Sequence, residues 1–266
     1  MESNIWKKVI HTRIGDIATY GVYKESEKTP VIFLHGVYFD HHLWDHIISD
    51  MDDRLLIAPD MPWHGASRKI GNQHWSLYDC ADMLIEILDR LHIRRVMAVG
   101  HSWGSMSILR AAVRYPERFE SLLLCNMPVK EASTKQKIMF RLQHSMLLFR
   151  DFYTRQAAKA LFGKTSLKQH PEWIAELKRT MGILSNHEIR MIDRKVILDA
   201  GDSSAFIHQL SMKALALKGA EDYVPTPDGI DTILVEGGHI SPLEAPNQLK
   251  DSLKKLLYEG LRNSRT

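Results

Sequence analysis

The segment Gly100-His101-Ser102-Trp103-Gly104 sets a serine between two glycines at the end of the apolar run Val96-Met97-Ala98-Val99, and a helical pattern follows it. Such a serine sits on a sharp strand-to-helix turn, where the backbone crowds its neighbours and a Cβ on either glycine would obstruct it. Its hydroxyl is a candidate nucleophile, and the Trp103 N–H at the helix start can donate to an oxyanion. A second such donor is the N–H of Val37 in His35-Gly36-Val37-Tyr38, where the chain turns after the apolar run Val31-Ile32-Phe33-Leu34. A serine hydroxyl needs a base to take its proton. Among the 14 histidines, His239 follows the apolar run Thr232-Ile233-Leu234-Val235 and the hinge Gly237-Gly238. On that glycine-rich loop its ring is free to reach over a sheet to Ser102. The chemistry implied is attack of an activated hydroxyl on a carbonyl.

Those residues need a scaffold that brings strand ends together. Lys8–Thr12 and Ala18–Tyr23, flanking Ile14-Gly15-Asp16, read as a β-hairpin. Continuous apolar runs at Val31–Leu34, Leu55–Pro59, Val96–Val99 and Phe119–Cys125 suit strands buried on both faces of a parallel sheet. Between them, helices are expected over Leu43–Met51, over Ser76–Leu91 and from Ser102 to Tyr115. This alternation predicts an α/β fold with a doubly wound, mostly parallel sheet.

Taken together, His35-Gly36, Asp60-Met61-Pro62-Trp63-His64-Gly65-Ala66-Ser67, Gly100-His101-Ser102-Trp103-Gly104 and Gly237-Gly238-His239 resemble the α/β-hydrolase superfamily, its serine-nucleophile, capped esterase and lipase-like members in particular. The resemblance covers nearly the whole chain outside residues 128–200, and the four motifs stand in the superfamily's order. It implies a hydrolase core of residues 1–127 and 201–266 with a helical cap at 128–200. One departure is visible: Trp63 stands where the loop commonly has glycine. It is either an aromatic wall at the pocket mouth or a packed structural side chain.

The resemblance also implies a carboxylate that orients the base. Ala220-Glu221-Asp222 after Gly219 is similar to the superfamily's acid turn, which favours Asp222, 17 residues before His239. Asp202, Asp199 and Glu221 remain rivals. His35 and His101 flank the chemistry, either as packed hydrogen-bonding groups or as pocket wall. Tyr38, Trp63, Met139 and Phe149 are the other pocket candidates, and His41, His42 and His64 could line it. His41-His42 lacks a nearby carboxylate pattern for a metal site, and no phosphate loop or nicotinamide fingerprint is present, so no cofactor is expected.

The activity implied is hydrolysis of a carboxylic ester, lactone or thioester through an acyl-enzyme. A Ser–His–Asp triad also serves carbon–carbon bond hydrolysis of a diketone or dienoate, and some relatives are slow-turnover ligand receptors or signalling modules. Relatives that open epoxides or displace halide carry aspartate at the elbow, whereas this chain has Ser102.

Composition narrows the partners. The 266 residues have a formal charge of +3 and no basic block, which disfavours nucleic acid. No run approaches a membrane span, and the first residues lack the apolar core of a signal peptide. Two cysteines, Cys80 and Cys125, suit buried free thiols in a reducing, cytoplasmic compartment. Between Lys130 and Ala200, fourteen Lys/Arg face seven Asp/Glu. That excess is either a solvated face or, through Arg141, Arg150, Arg155 and Lys159, an attractor for an anionic substrate or an acyl group on an acidic carrier. The partner expected is a small ester-like molecule with an apolar part; oligomeric state leaves no mark in the sequence.

Overall fold

A computed structural model describes residues 4–23 and 26–259. The chain opens with the expected hairpin, β1 (Asn4–His11) against β2 (Asp16–Tyr23), and continues into β3 (Val31–Leu34), whose four residues are all buried. The helix expected over Leu43–Met51 is shorter than its pattern suggested. A 3-10 turn, His41–Trp44, capped by Asp40, runs into the single turn α1 (Asp45–Ile48). One turn suffices there, because Leu43, Trp44 and Ile47 are already buried while residues 49 and 50 reach the surface.

Next come β4 (Leu56–Pro59), α2 (Leu77–Arg90), β5 (Val96–His101), α3 (Trp103–Arg114) and β6 (Phe119–Cys125). A reciprocal capping box between Ser76 and Asp79 starts α2. Between β6 and β7 the chain is helical: α4 (Thr134–Ser145), α5 (Arg150–Leu161), α6 (Lys164–Gln169), α7 (Trp173–Gly182), α8 (Asn186–Asp193), a π-helical turn over Arg194–Leu198, and α9 (Ser204–Ile207). Then β7 (Lys213–Gly219), β8 (Thr232–Val235), α10 (Ser241–Glu244) and α11 (Pro246–Glu259) complete the domain.

The eight strands lie in the order β1-β2-β4-β3-β5-β6-β7-β8. Among the described strands the β1–β2 and β2–β4 pairs are antiparallel and the other pairs are parallel. Because parallel strands share direction, the loops after β3, β4, β5, β6, β7 and β8 gather at one edge, where ligands of such sheets bind. The central β5 is buried at every position. No helix among the described residues is long and apolar enough to cross a membrane.

The backbone is packed closely at the turn leaving β5. A Cβ at Gly104 would lie 2.0 Å from the Leu34 carbonyl oxygen, and one at Gly100 would lie 2.5 Å from the Ser105 amide nitrogen. Both neighbours are backbone and cannot swing aside. Gly104→Ala is therefore expected to cost at least about 1–3 kcal/mol as overpacking, read as a lowered urea midpoint. Gly182→Ala, in a helix with nothing within 4 Å of the added carbon, should be neutral or stabilising.

Candidate active site

Ser102 occupies the turn between β5 and α3 with φ 49° and ψ −111°, a left-handed conformation rare for a residue with a Cβ. Its own N–H is fixed to the Cys125 carbonyl of the next strand at 2.8 Å. Oγ lies 2.9 Å from Nε2 of His239, and Nδ1 of that ring lies 2.9 Å from Oδ1 of Asp222. The three side chains thus form one unbroken row, and all three residues are buried. Asp222 leaves β7 by the short turn that the sequence suggested, and nine residues without a helix separate it from β8. The rivals lie elsewhere. Asp202 caps Ser204, Asp199 pairs with Arg194, and Glu221 accepts from the Lys164 N–H.

Burial would raise the Asp222 carboxyl. Its hydrogen bond to His239, the charge of that ring and donors from Val224 N–H and Asn126 outweigh burial and hold it below the usual carboxylate range. Asn126 is a site residue that sequence reasoning missed. Its Nδ2 donates to Asp222 Oδ2 at 2.8 Å and to the Gly238 carbonyl at 3.2 Å, while its Oδ1 accepts from Ser241 Oγ at 2.6 Å. One amide therefore ties the acid to the loop carrying His239. It does so from φ +50° just after β6. An asparagine directly after a buried strand, one of the few residue types besides glycine that tolerates that backbone, is the signal that could have found it.

The His239 backbone is held on both sides. Its N–H donates to the Leu161 carbonyl at 2.7 Å, and its carbonyl accepts from His101 Nε2 at 2.7 Å. Tyr223 stacks on the His239 ring with centroids 5.1 Å apart.

The Val37 and Trp103 amides, the expected oxyanion donors, flank Gly36 and Ser102 and donate to no acceptor among the described residues. His35 and His101 are fully buried hydrogen-bonding groups. His35 Nδ1 donates to the Gly36 carbonyl at 2.7 Å while Nε2 accepts from the Met61 N–H at 2.8 Å. His64 does the same one loop away, accepting from Tyr38 N–H and donating to the Pro62 carbonyl, both at 2.9 Å. Trp63 has φ +67°, the backbone that explains why glycine is usual there, and its ring packs on Trp75, which stacks on Trp103. The buried Tyr38 hydroxyl donates to Asp193 Oδ1 at 2.5 Å, and Oδ2 of Asp193 accepts from His144 and Tyr153.

Two expected pocket residues stand away from the site. Met139 is 47% exposed on α4, none of whose residues is buried, and Phe149, in the turn before α5, is 70% exposed. Arg150 is not free to attract an anion either, since it donates to the Met181 and Leu184 carbonyls at the end of α7. A carboxylate does stand beside His41-His42: polar atoms of Asp40, His41 and His42 lie within 4.8 Å of one another. Each already has a partner, Arg179 on Asp40, Asp60 on His41 and Asp45 on His42, so a cation there would displace a guanidinium.

A family model described as the alpha/beta hydrolase fold matches residues 29–232. Mouse epoxide hydrolase 4 is 30% identical over 132 residues, 48% of this chain and 35% of the relative. A 2-hydroxy-6-oxo-2,4-heptadienoate hydrolase of Pseudomonas putida is 32% identical over 99 residues, 36% of each chain. The matched segment thus spans about a third of these curated relatives. Among solved structures, a thermophilic esterase from Thermogutta terrifontis superposes with a TM-score of 0.79 at 20% identity, covering 98% of this chain and all of its own, a likeness of fold.

Two expectations follow. Burial keeps His64 and His101 neutral down to about pH 3, and it lowers His35 as well. Released on unfolding, these rings titrate near 6.5. Between those values the unfolded chain binds more protons, so stability falls as pH drops below about 6.5. Melting temperature should decline from pH 7 to pH 5, and His64→Gln should flatten that slope. Asn126→Gly keeps the backbone angle but removes a hydrogen bond to a charged acid worth about 1.5–3 kcal/mol. Turnover should fall roughly 10- to 100-fold, read as kcat on an activated ester.

Proposed function

Because the chain belongs to the alpha/beta hydrolase family, we propose that it is a serine hydrolase acting on a carboxylic ester, lactone or thioester. The observation that carries this reading is the row of two 2.9 Å hydrogen bonds from Ser102 through His239 to Asp222. His239 Nε2 takes the Ser102 proton as Oγ attacks the carbonyl carbon. The Val37 and Trp103 N–H groups stabilise the resulting oxyanion. Collapse expels the alcohol or thiol, which takes its proton from His239. Water, deprotonated by the same ring, then releases the acid and restores Ser102. Asp222 keeps Nδ1 as the donor nitrogen and stabilises the imidazolium formed in each half. These groups and water complete the cycle, so no cofactor enters it.

The helical insertion is read as the cap, approximately residues 128–200, closing over the acyl site. Cys80 and Cys125, both buried free thiols, suit a reducing compartment such as the cytoplasm. A second reading, carbon–carbon bond hydrolysis, is favoured by the similarity to the Pseudomonas putida dienoate hydrolase. A slow-turnover ligand receptor of the same fold would keep the row of side chains but release product rarely.

Fluorophosphonate labelling with mass mapping, beside hydrolysis of p-nitrophenyl acetate, butyrate and octanoate, tests the proposal. An adduct on Ser102 and turnover that falls about 10⁴-fold or more in Ser102→Ala are expected. Full activity of Ser102→Ala would overturn it. Labelling with turnover of a dienoate but of no ester would give the second reading instead.

A further inference from the structure

The outer face of the insertion carries an apolar patch that the proposed chemistry does not use. Ile138, Met139 and Leu142 of α4 join Leu148, Phe149 and Phe152, from the following turn and α5, and each is between 47% and 78% exposed. None of the twelve residues of α4 is buried. Single exposed apolar residues are ordinary, but six in adjoining turns form a contiguous surface that water covers poorly.

The charge around the patch has one sign. Residues 132–161 contain six Lys/Arg and one Asp/Glu. Lys135, Arg141, Arg155 and Lys159 are exposed and form no ion pair among the described residues. Lys135 and Arg141 lie three residues to either side of Ile138, on the same stretch of helix surface, and Arg155 lies three beyond Phe152. The one acid in this stretch, Asp151, is taken up by Lys178 at 2.8 Å.

We propose that this face docks on an anionic lipid surface, the apolar side chains entering the boundary between headgroups and acyl chains while the four cations meet lipid phosphates. The pairing of protruding aromatic and aliphatic groups with unneutralised cations selects this occupant. An acidic carrier protein would satisfy the cations and leave the apolar side chains uncovered. A second copy would set the four cations against their symmetry mates. Docking also has a consequence for access. The turn and helix that carry Phe149 and Phe152 outward carry Tyr153 inward, to hydrogen-bonding distance of Asp193, which Tyr38 beside Val37 also reaches. A lipid surface bound here would lie against α5, whose Leu161 carbonyl accepts from the His239 N–H. The inference goes beyond the hydrolase reading and does not depend on it.

Co-sedimentation of the full chain with phosphatidylcholine vesicles, with and without about one-third phosphatidylglycerol, is the test. Binding to the anionic vesicles alone is expected, weakened in about 0.5 M salt, where charges are screened beyond a few ångströms. The pairs Ile138→Glu with Leu148→Glu, and Lys135→Glu with Arg141→Glu, should each reduce it about tenfold or more. Both should keep wild-type melting curves and wild-type rates on soluble p-nitrophenyl acetate. If wild type proves inactive on esters, the melting curves alone certify folding and the vesicle result stands by itself. The proposal is overturned if anionic vesicles do not bind, if neither pair weakens binding, or if the apolar pair instead abolishes concentration-dependent self-association.

Discussion

A serine held at φ 49° and ψ −111° is the constraint on which the site depends. Conformations of this kind cost about 1–3 kcal/mol and persist only where surrounding structure over-determines them. Three contacts do so here. The Ser102 N–H is bound to Cys125 on β6, Gly104 rests against the Leu34 carbonyl on β3, and Gly100 meets the backbone of Ser105. Each contact reaches a different element, so the parallel sheet must be assembled before the turn is stable. The result is a hydroxyl lifted from the sheet edge toward His239, with no rotamer or loop rearrangement needed to aim it.

The same edge is held together by uncharged groups. His35, His64 and His101 each use one ring nitrogen as a donor to a backbone carbonyl, and His35 and His64 use the other to accept a backbone N–H. A neutral imidazole can satisfy one donor and one acceptor at once in a space that excludes water, with no charge to desolvate. His101 departs from this pattern, because its Nδ1 has no partner among the described residues and faces Gly36. That unmet acceptor is tolerated because Nε2 fixes the His239 carbonyl. Together with Asn126, these rings position the residues of the row without adding charge beside Asp222.

Much of this was legible before any coordinates. The buried strands announce themselves as apolar runs, and Ser102 and His239 stand out because glycines frame the first and directly precede the second, a backbone property that survives in sequence. Asp222 was recoverable from the turn after β7, although its rivals were separable only in space: Glu221 is adjacent in the chain yet points to Lys164. Two kinds of information were not encoded locally. Periodicity marks Met139 and Phe149 as apolar but does not say which side of a short helix meets the core, and both face out. Charge counting likewise groups Arg150 with Arg141 and Arg155. Only packing reveals that Arg150 closes the carbonyl end of α7 while the others stand in solvent. Trp63 stands out in the sequence as a departure from glycine, and the consequence of that departure lies in its backbone angle.

Besides the bond from His239 N–H to the Leu161 carbonyl, two unequal sets of contacts tie the insertion to the strand edge. Arg179 to Asp40 and Arg68 to Glu188 each have a half- or partly exposed partner, and such pairs are worth about 0–1 kcal/mol apiece. The Tyr38–Asp193–Tyr153 group is buried, and Asp193 and Tyr153 both belong to the insertion, so parting them from Tyr38 without water would leave the Tyr38 hydroxyl and Asp193 Oδ1 unsatisfied at about 1–3 kcal/mol or more each. His144 stands at the edge of that group, partly exposed, and is its nearest approach to solvent. Movement of the insertion is therefore resisted chiefly at α5 and α8, beside Tyr38, and least along α7 and the rim. With Ser102 buried, the low-cost way to admit a molecule is to loosen the rim while α5 stays in place. Tyr38, the residue after Val37, then keeps its position beside Asp193.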